Sequence, residues 1–280
     1  MRTSPVGRRR HLSRELLRLR ESTGQTADQV ARALGWTPSS LTHIERNDWK
    51  LPKLHLVEQL LDAYGVTEDA EPQRRAELLT YAEEGRNRGW WERHKLKLSE
   101  AESIYIGLEQ EASLIRIVAP VQIPALLQAP DYARALHQDP ARGEAAAAMG
   151  TERQRLLQEP DPLTMWAVVG EGVLWQQVGG PDVHAAQLDH LAKLASSPNV
   201  RLSIYPFEAR RPLPPGFAHL SFENVIDPEV VYIPSAGGET WREDPNQVTP
   251  FVNLWEAILP SALPVKESRR RLAEIAAKAH

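Results

Sequence analysis

The sequence predicts a chain in two parts: an all-α bundle of short helices at the N-terminus, then an α+β (or α/β) domain with a small mixed sheet flanked by helices. Three observations lead there. Within residues 1–68, apolar residues recur three and four positions apart between glycine stops, the period of short amphipathic helices. Beyond Pro160 and Pro162 the period changes, and four short runs rich in β-branched and aromatic residues read as strands. The charge is also split: residues 1–68 hold 11 lysines and arginines against 8 acids, the remainder 22 against 29. A basic head on an acidic body suits local contact with a polyanion.

The N-terminal elements follow in order. Residues 8–22 form a helix with Leu12, Leu16 and Leu19 on one side and Gly24 as its stop. Thr26 and Gln29 stand at capping-box spacing, so a second helix starts there, buries Val30, Ala31 and Leu34, and closes at Gly35. Thr37 is a good N-cap and Pro38 sits at N1, where proline is best tolerated. The third helix turns Leu41 and Ile44 inward and leaves Ser39, Ser40, Thr42, His43 and Arg46 outside. Two short helices joined by a tight glycine-containing turn form a helix-turn-helix. Its second helix fits the major groove, and its first braces across the backbone. A fourth helix covers 53–64, with Val57, Leu60, Leu61 and Tyr64 buried and Gly65 as its cap.

Residues 71–88 form a further helix ending at Gly89-Trp90-Trp91. The two tryptophans read as packing between parts of the chain, with ligand stacking as the other reading. Residues 99–118 read as one long amphipathic helix carrying Ile104, Leu108, Ala112 and Ile115. Residues 119–128 are apolar and broken by Pro120 and Pro124; 131–137 and 144–157 are helical. Strands are expected at 165–169, 200–205, 218–222 and 230–233, and helices at 184–194, 245–258 and 266–278. The proline-rich run 209–216 is a stiff surface loop. The expected domains are therefore 1–68, a connecting helix at 69–89, and 90–280.

Composition removes several classes of function. Hydrophobic residues make up 42% and charged residues 25%, an ordinary globular balance. The chain has no cysteine, which excludes disulfides, thiol nucleophiles and cysteine-ligated metals. No apolar run is long enough to span a bilayer, and the basic start lacks a signal peptide's apolar core, so a cytoplasmic protein is expected. No phosphate-binding loop, nucleophile elbow or His-Glu-x-x-His motif is present. His184 and His190, flanking Asp189, lie about 240° apart on a helix and do not share a site. Glu109 and Glu111 diverge, and Glu152, Arg153 and Arg155 read as a solvated face. Glu171, at a strand end, is the one carboxylate worth watching. No enzyme, cofactor or metal is expected.

Two resemblances add to this. The stretch "GQTADQVARALGWTPSSLTHIERND" resembles the XRE (Cro/C1-type) helix-turn-helix family, through Thr26, Ala31, Leu34, Gly35, Ser39, Ile44, Glu45 and Arg46. Ala27 and Pro38 stand where that family often has glutamines, so base reading falls to Ser39, Ser40, Thr42 and His43. Each half-site is then read with modest specificity, compensated by dimerisation. Arg46 is a further candidate DNA contact on the same helix, Lys50 and Lys53 are candidate phosphate contacts, and Arg8, Arg9 and Arg10 a candidate basic arm for phosphates or the minor groove. The order "YIGLEQEAS", "IPALLQAPDYARAL", "SPNVRLSIYPF", "VVYIPSAGG" is similar to a domain of unknown function found behind XRE domains in antitoxin-like actinobacterial regulators. That resemblance implies a small protein partner encoded nearby and control of development or secondary metabolism, and brings no catalytic residues. The expected function is a homodimeric regulator binding double-stranded DNA, whose second domain takes a partner protein or a small-molecule effector. The alternative is an antitoxin that represses its own operon.

Overall fold

The structure is a computed structural model; it describes residues 2–49, 51–94, 96–158, 160–223, 227–235 and 237–279. The chain forms two compact units, one built on Met1–Trp90 and the other on Trp91–Glu223 and Pro228–His280.

The first unit is all helical. Helix α1 (Pro5–Ser22) begins earlier than the leucine stripe suggests, because Ser4 caps it by accepting from the Gly7 amide at 3.0 Å and Pro5 occupies the first turn. Helix α2 (Ala27–Ala33) carries the expected capping box: the Gln29 amide donates to Thr26 Oγ1, and the Thr26 amide to Gln29 Oε1. It ends in a left-handed turn at Gly35 (φ 69°), where the Trp36 amide donates to the Ala31 carbonyl and the Gly35 amide to Arg32. Helix α3 (Pro38–Glu45) starts on the Thr37 cap. Helix α4 (Leu54–Ala63) and helix α5 (Pro72–Glu84) complete the unit. Leu12, Leu16, Val30, Leu41, Ile44 and Leu60 form its core, to which α5 adds Leu78 and Ala82.

The second unit carries a six-stranded mixed sheet. Helix α6 (Glu100–Glu111) leads directly into strand β1 (Leu114–Ala119). Helices α7 (Pro130–Ala135) and α8 (Pro140–Gln154) precede β2 (Thr164–Gly170), and α9 (Pro181–Leu194) precedes β3 (Val200–Tyr205). Strands β4 (Phe217–Ser221), β5 (Val230–Ile233) and β6 (Thr240–Arg242) follow, then α10 (Pro245–Ile258) and α11 (Val265–Ala279). The sheet order is β3-β2-β1-β4-β5-β6. The first three strands are parallel, and β4 to β6 add antiparallel. One sheet face (Val118, Val168, Phe217, Val231) packs with Trp255 and Ile258 of α10, and residues such as Ile115, Met165, Ile204 and Leu220 on the other are also buried.

The single helix expected over 99–118 is overturned. It stops at Glu111, and its last third is β1, the strand between β2 and β4. Ile115 continues the helical spacing of Ile104 and Leu108 by coincidence, whereas the β-branched cluster Ile115, Ile117 and Val118 favours an extended chain buried on both faces. Among the described residues the sheet thus gains two strands over the four expected, β1 and the short β6. Trp91 is buried and Trp90 half-buried in a 3₁₀ segment, Trp90–His94.

Candidate nucleic-acid interface

The anchoring of α3 decides which of its side chains are available. Leu41 and Ile44 enter the core. Glu45 is also buried, 7% exposed, and holds Arg20 of α1 in a fork: Nε donates to Oε1 at 2.6 Å and Nη2 to Oε2 at 3.1 Å. A third Arg20 donor reaches the Gln25 carbonyl. The hydrogen bond and charge of Glu45 raise the guanidinium pKa despite partial burial. The far end of α3 closes on Asn47, in the left-handed region at φ 59°, with the Asp48 amide donating to the His43 carbonyl and the Asn47 amide to Ile44. Trp49 then ties the following loop to α1 by donating from Nε1 to Ser13 Oγ at 3.0 Å. Arg20, Glu45 and Trp49 position the helix; the resemblance pointed to Glu45, but no local pattern singled out Arg20 or Trp49, because their partners lie far away in sequence.

With that side fixed, Ser39, His43 and Arg46 recur at i, i+4 and i+7 on the exposed side, with Ser40 beside them. The Thr37, Ser39 and Ser40 hydroxyls form a cluster, with Thr37 Oγ1 at 3.0 and 2.7 Å from the two serine oxygens. Half-buried Thr42 donates its hydroxyl to the Pro38 carbonyl, leaving its oxygen as an acceptor and its methyl for apolar contact. His43 Nδ1 lies 3.5 Å from Asp48, a loose exposed pair. Arg46 and Lys53 are exposed and, among the described residues, have no ion-pair partner. Lys50 lies outside the described residues. The surface therefore offers short hydroxyls and an imidazole toward the start and middle of α3, with longer cations beyond.

The arginine cluster is differently placed. Arg8 pairs with Glu84 and stacks over Tyr81, Arg9 donates to the Gly85 carbonyl at 2.9 Å, and Arg10 is buried. These contacts bind the start of α1 to α5 rather than presenting a mobile arm.

A family model described as a domain of unknown function (DUF5753) matches residues 103–274, more than half of the chain. The chain belongs to the DUF5753 family. A helix-turn-helix domain matches residues 11–73, which contain α2 and α3. No curated protein and no solved structure matches the chain.

Within the DUF5753 region, the structure corrects one reading of charge. Arg153 is not part of a solvated face: it is buried and forks onto the fully buried Glu109, Nε to Oε1 at 2.7 Å and Nη2 to Oε2 at 2.6 Å. Burial alone would lower the Arg153 pKa; the charge of Glu109 more than offsets it, so the net shift is upward. Glu152 pairs with Arg93 and His94. Glu171 is buried, accepting from the Phe207 amide and Arg271. The His184 ring meets the Leu174 carbonyl, and His190 meets Gln154. Among the described residues, no three acidic or histidine side chains converge as a metal site, and no helix is long and apolar enough to cross a membrane. The DUF5753 protein thus carries a helix-turn-helix DNA-binding domain ahead of its family domain.

Proposed function

We propose that this protein is a cytoplasmic, non-enzymatic transcriptional regulator. It binds operator DNA sequence-specifically as a homodimer, and its DUF5753 domain receives a partner protein or a small ligand. The observation that carries the reading is the division of α3: Leu41, Ile44 and Glu45 lock it into the bundle, while Ser39, Ser40, His43 and Arg46 stay exposed on its other side. A helix held this way can enter the major groove, with its N-terminal residues at the base edges and Arg46 and Lys53 at phosphates. Hydroxyls discriminate weakly between bases, so useful specificity requires two half-sites, one or more helical turns apart on the duplex. The supporting experiment is a footprint on the DNA upstream of the gene across a salt series. A protected inverted repeat that persists at moderate salt supports the reading. Uniform protection that vanishes with salt reduces it to phosphate binding and overturns specific recognition.

A further inference from the structure

The second unit contains a pocket of about 690 Å³, a volume within the roughly 300–1,000 Å³ of small-molecule sites. It lies at the carboxyl end of β1, bounded by Ile117–Ala119, the loop that follows, the start of β4 at Gly216–Ala218 and the end of β5 at Tyr232. From β1 the chain builds β2 and β3 on one side, then crosses back to place β4 on the other.

We propose that this pocket binds a small organic cation, an amine or quaternary ammonium carrying an apolar or aromatic body. The loop supplies an apolar wall through Val121, Ile123 and Leu126, joined by Met149 of α8. The charge lining it is negative. Arg153 is taken by Glu109, which leaves Glu102 and Glu239 in the lining with no cationic partner among the described residues. One serine draws these two carboxylates together: the Ser99 amide donates to Glu102 at 2.7 Å and the Ser99 hydroxyl to Glu239 at 3.2 Å. Glu102 also serves as the capping-box glutamate of α6; two carboxylates at the edge of a partly apolar pocket favour a cation there over an anion. Burial and then both carboxylates push the Tyr232 hydroxyl pKa upward, consistent with this field. Tyr232 stacks on Tyr105 with ring centroids 4.4 Å apart, and Arg153 sits 5.6 Å from the Tyr105 ring.

This inference rests on the reading of the DUF5753 domain as a receiver of ligands, but its test does not pass through DNA. The full chain is titrated calorimetrically with phenethylamine, benzyltrimethylammonium and, as a charge reversal, 3-phenylpropionate. The cations are expected to bind and the carboxylate is not. The double variant Glu102→Gln/Glu239→Gln keeps both acceptors for Ser99 and is expected to weaken cation binding at least tenfold (~10-fold for each 1.4 kcal/mol lost). Val121→Arg, at an exposed rim position, is expected to weaken it without touching the fold. Equal binding of the carboxylate, unchanged affinity in both variants, or no binding of either cation up to about 10 mM overturns the proposal. Footprinting the same preparation separates this failure from failure of the DNA-binding reading.

Discussion

Replacing Arg20 by methionine tests what holds the candidate recognition helix in place. The substitution strips the buried Glu45 carboxylate of its fork of donors and leaves it beside Tyr64, whose hydroxyl pKa its charge raises. At a charge separation of about 4 Å and an effective dielectric of about 20, the lost attraction is about 4 kcal/mol. Breaking one side of a buried pair costs about 3–5 kcal/mol in general. Both side chains are less than one-seventh exposed (13% and 7%), so solvent screening removes little of this. The assay is amide hydrogen exchange across residues 38–46, where opening should become easier by about two to three orders of magnitude. The double variant Arg20→Met/Glu45→Leu should recover most of the protection, because an apolar pair leaves no buried charge. Protection in Arg20→Met within about threefold of the parent, or a double variant no better than the single, would refute the argument that an unpaired charge is what matters.

Other outcomes follow from the same structure. Asn47→Gly should leave the first unit's melting temperature unchanged or higher, whereas Asn47→Val, forced to positive φ, should cost about 1–2 kcal/mol by denaturant titration. Leu41→Asp places a charge in a fully buried position and should abolish helical exchange protection in the first unit. On DNA, Lys53→Ala should lower the slope of log affinity against log salt by about one without changing sequence preference, and His43→Ala should weaken operator binding relative to random DNA with the fold intact. His219 is fully buried, and burial holds its pKa below the ordinary 6.5. The unfolded chain therefore takes up the proton first as pH falls. Stability of the second unit should be highest above about pH 6.5 and decline below it, with a shallower decline in His219→Gln and a residue attributable to His94 and His190, which burial also lowers.

The first unit was readable because its signals are local. Thr26 and Gln29, Thr37 and Pro38, and Gly24, Gly35 and Gly65 each act within one turn of the helix they start or stop. The second unit was harder to read for a physical reason. The α6–β1 junction satisfies helical spacing through Ile115, and only the partners β2 and β4, distant in sequence, select the extended form. The Glu109–Arg153 and Arg20–Glu45 pairs join helices 44 and 25 residues apart. Each looks like a surface charge until its partner is known. The pocket is drawn from α6, the loop after β1, α8 and the β4–β5 region, so no single stretch announces it.

The position of β1 also sets an order of assembly during synthesis. Its parallel partner β2 arrives some 50 residues later, and its antiparallel partner β4 only at Phe217–Ser221. Pairing across such long loops is slow, whereas short neighbouring helices condense quickly. On an emerging chain, α1 to α5 are complete long before the sheet can close, and the two carboxylates of the pocket cannot meet until Glu239 has left the ribosome. The nascent protein therefore gains its DNA-facing helix well before it gains its pocket. A chain interrupted between the two would carry the helix-turn-helix without the DUF5753 domain.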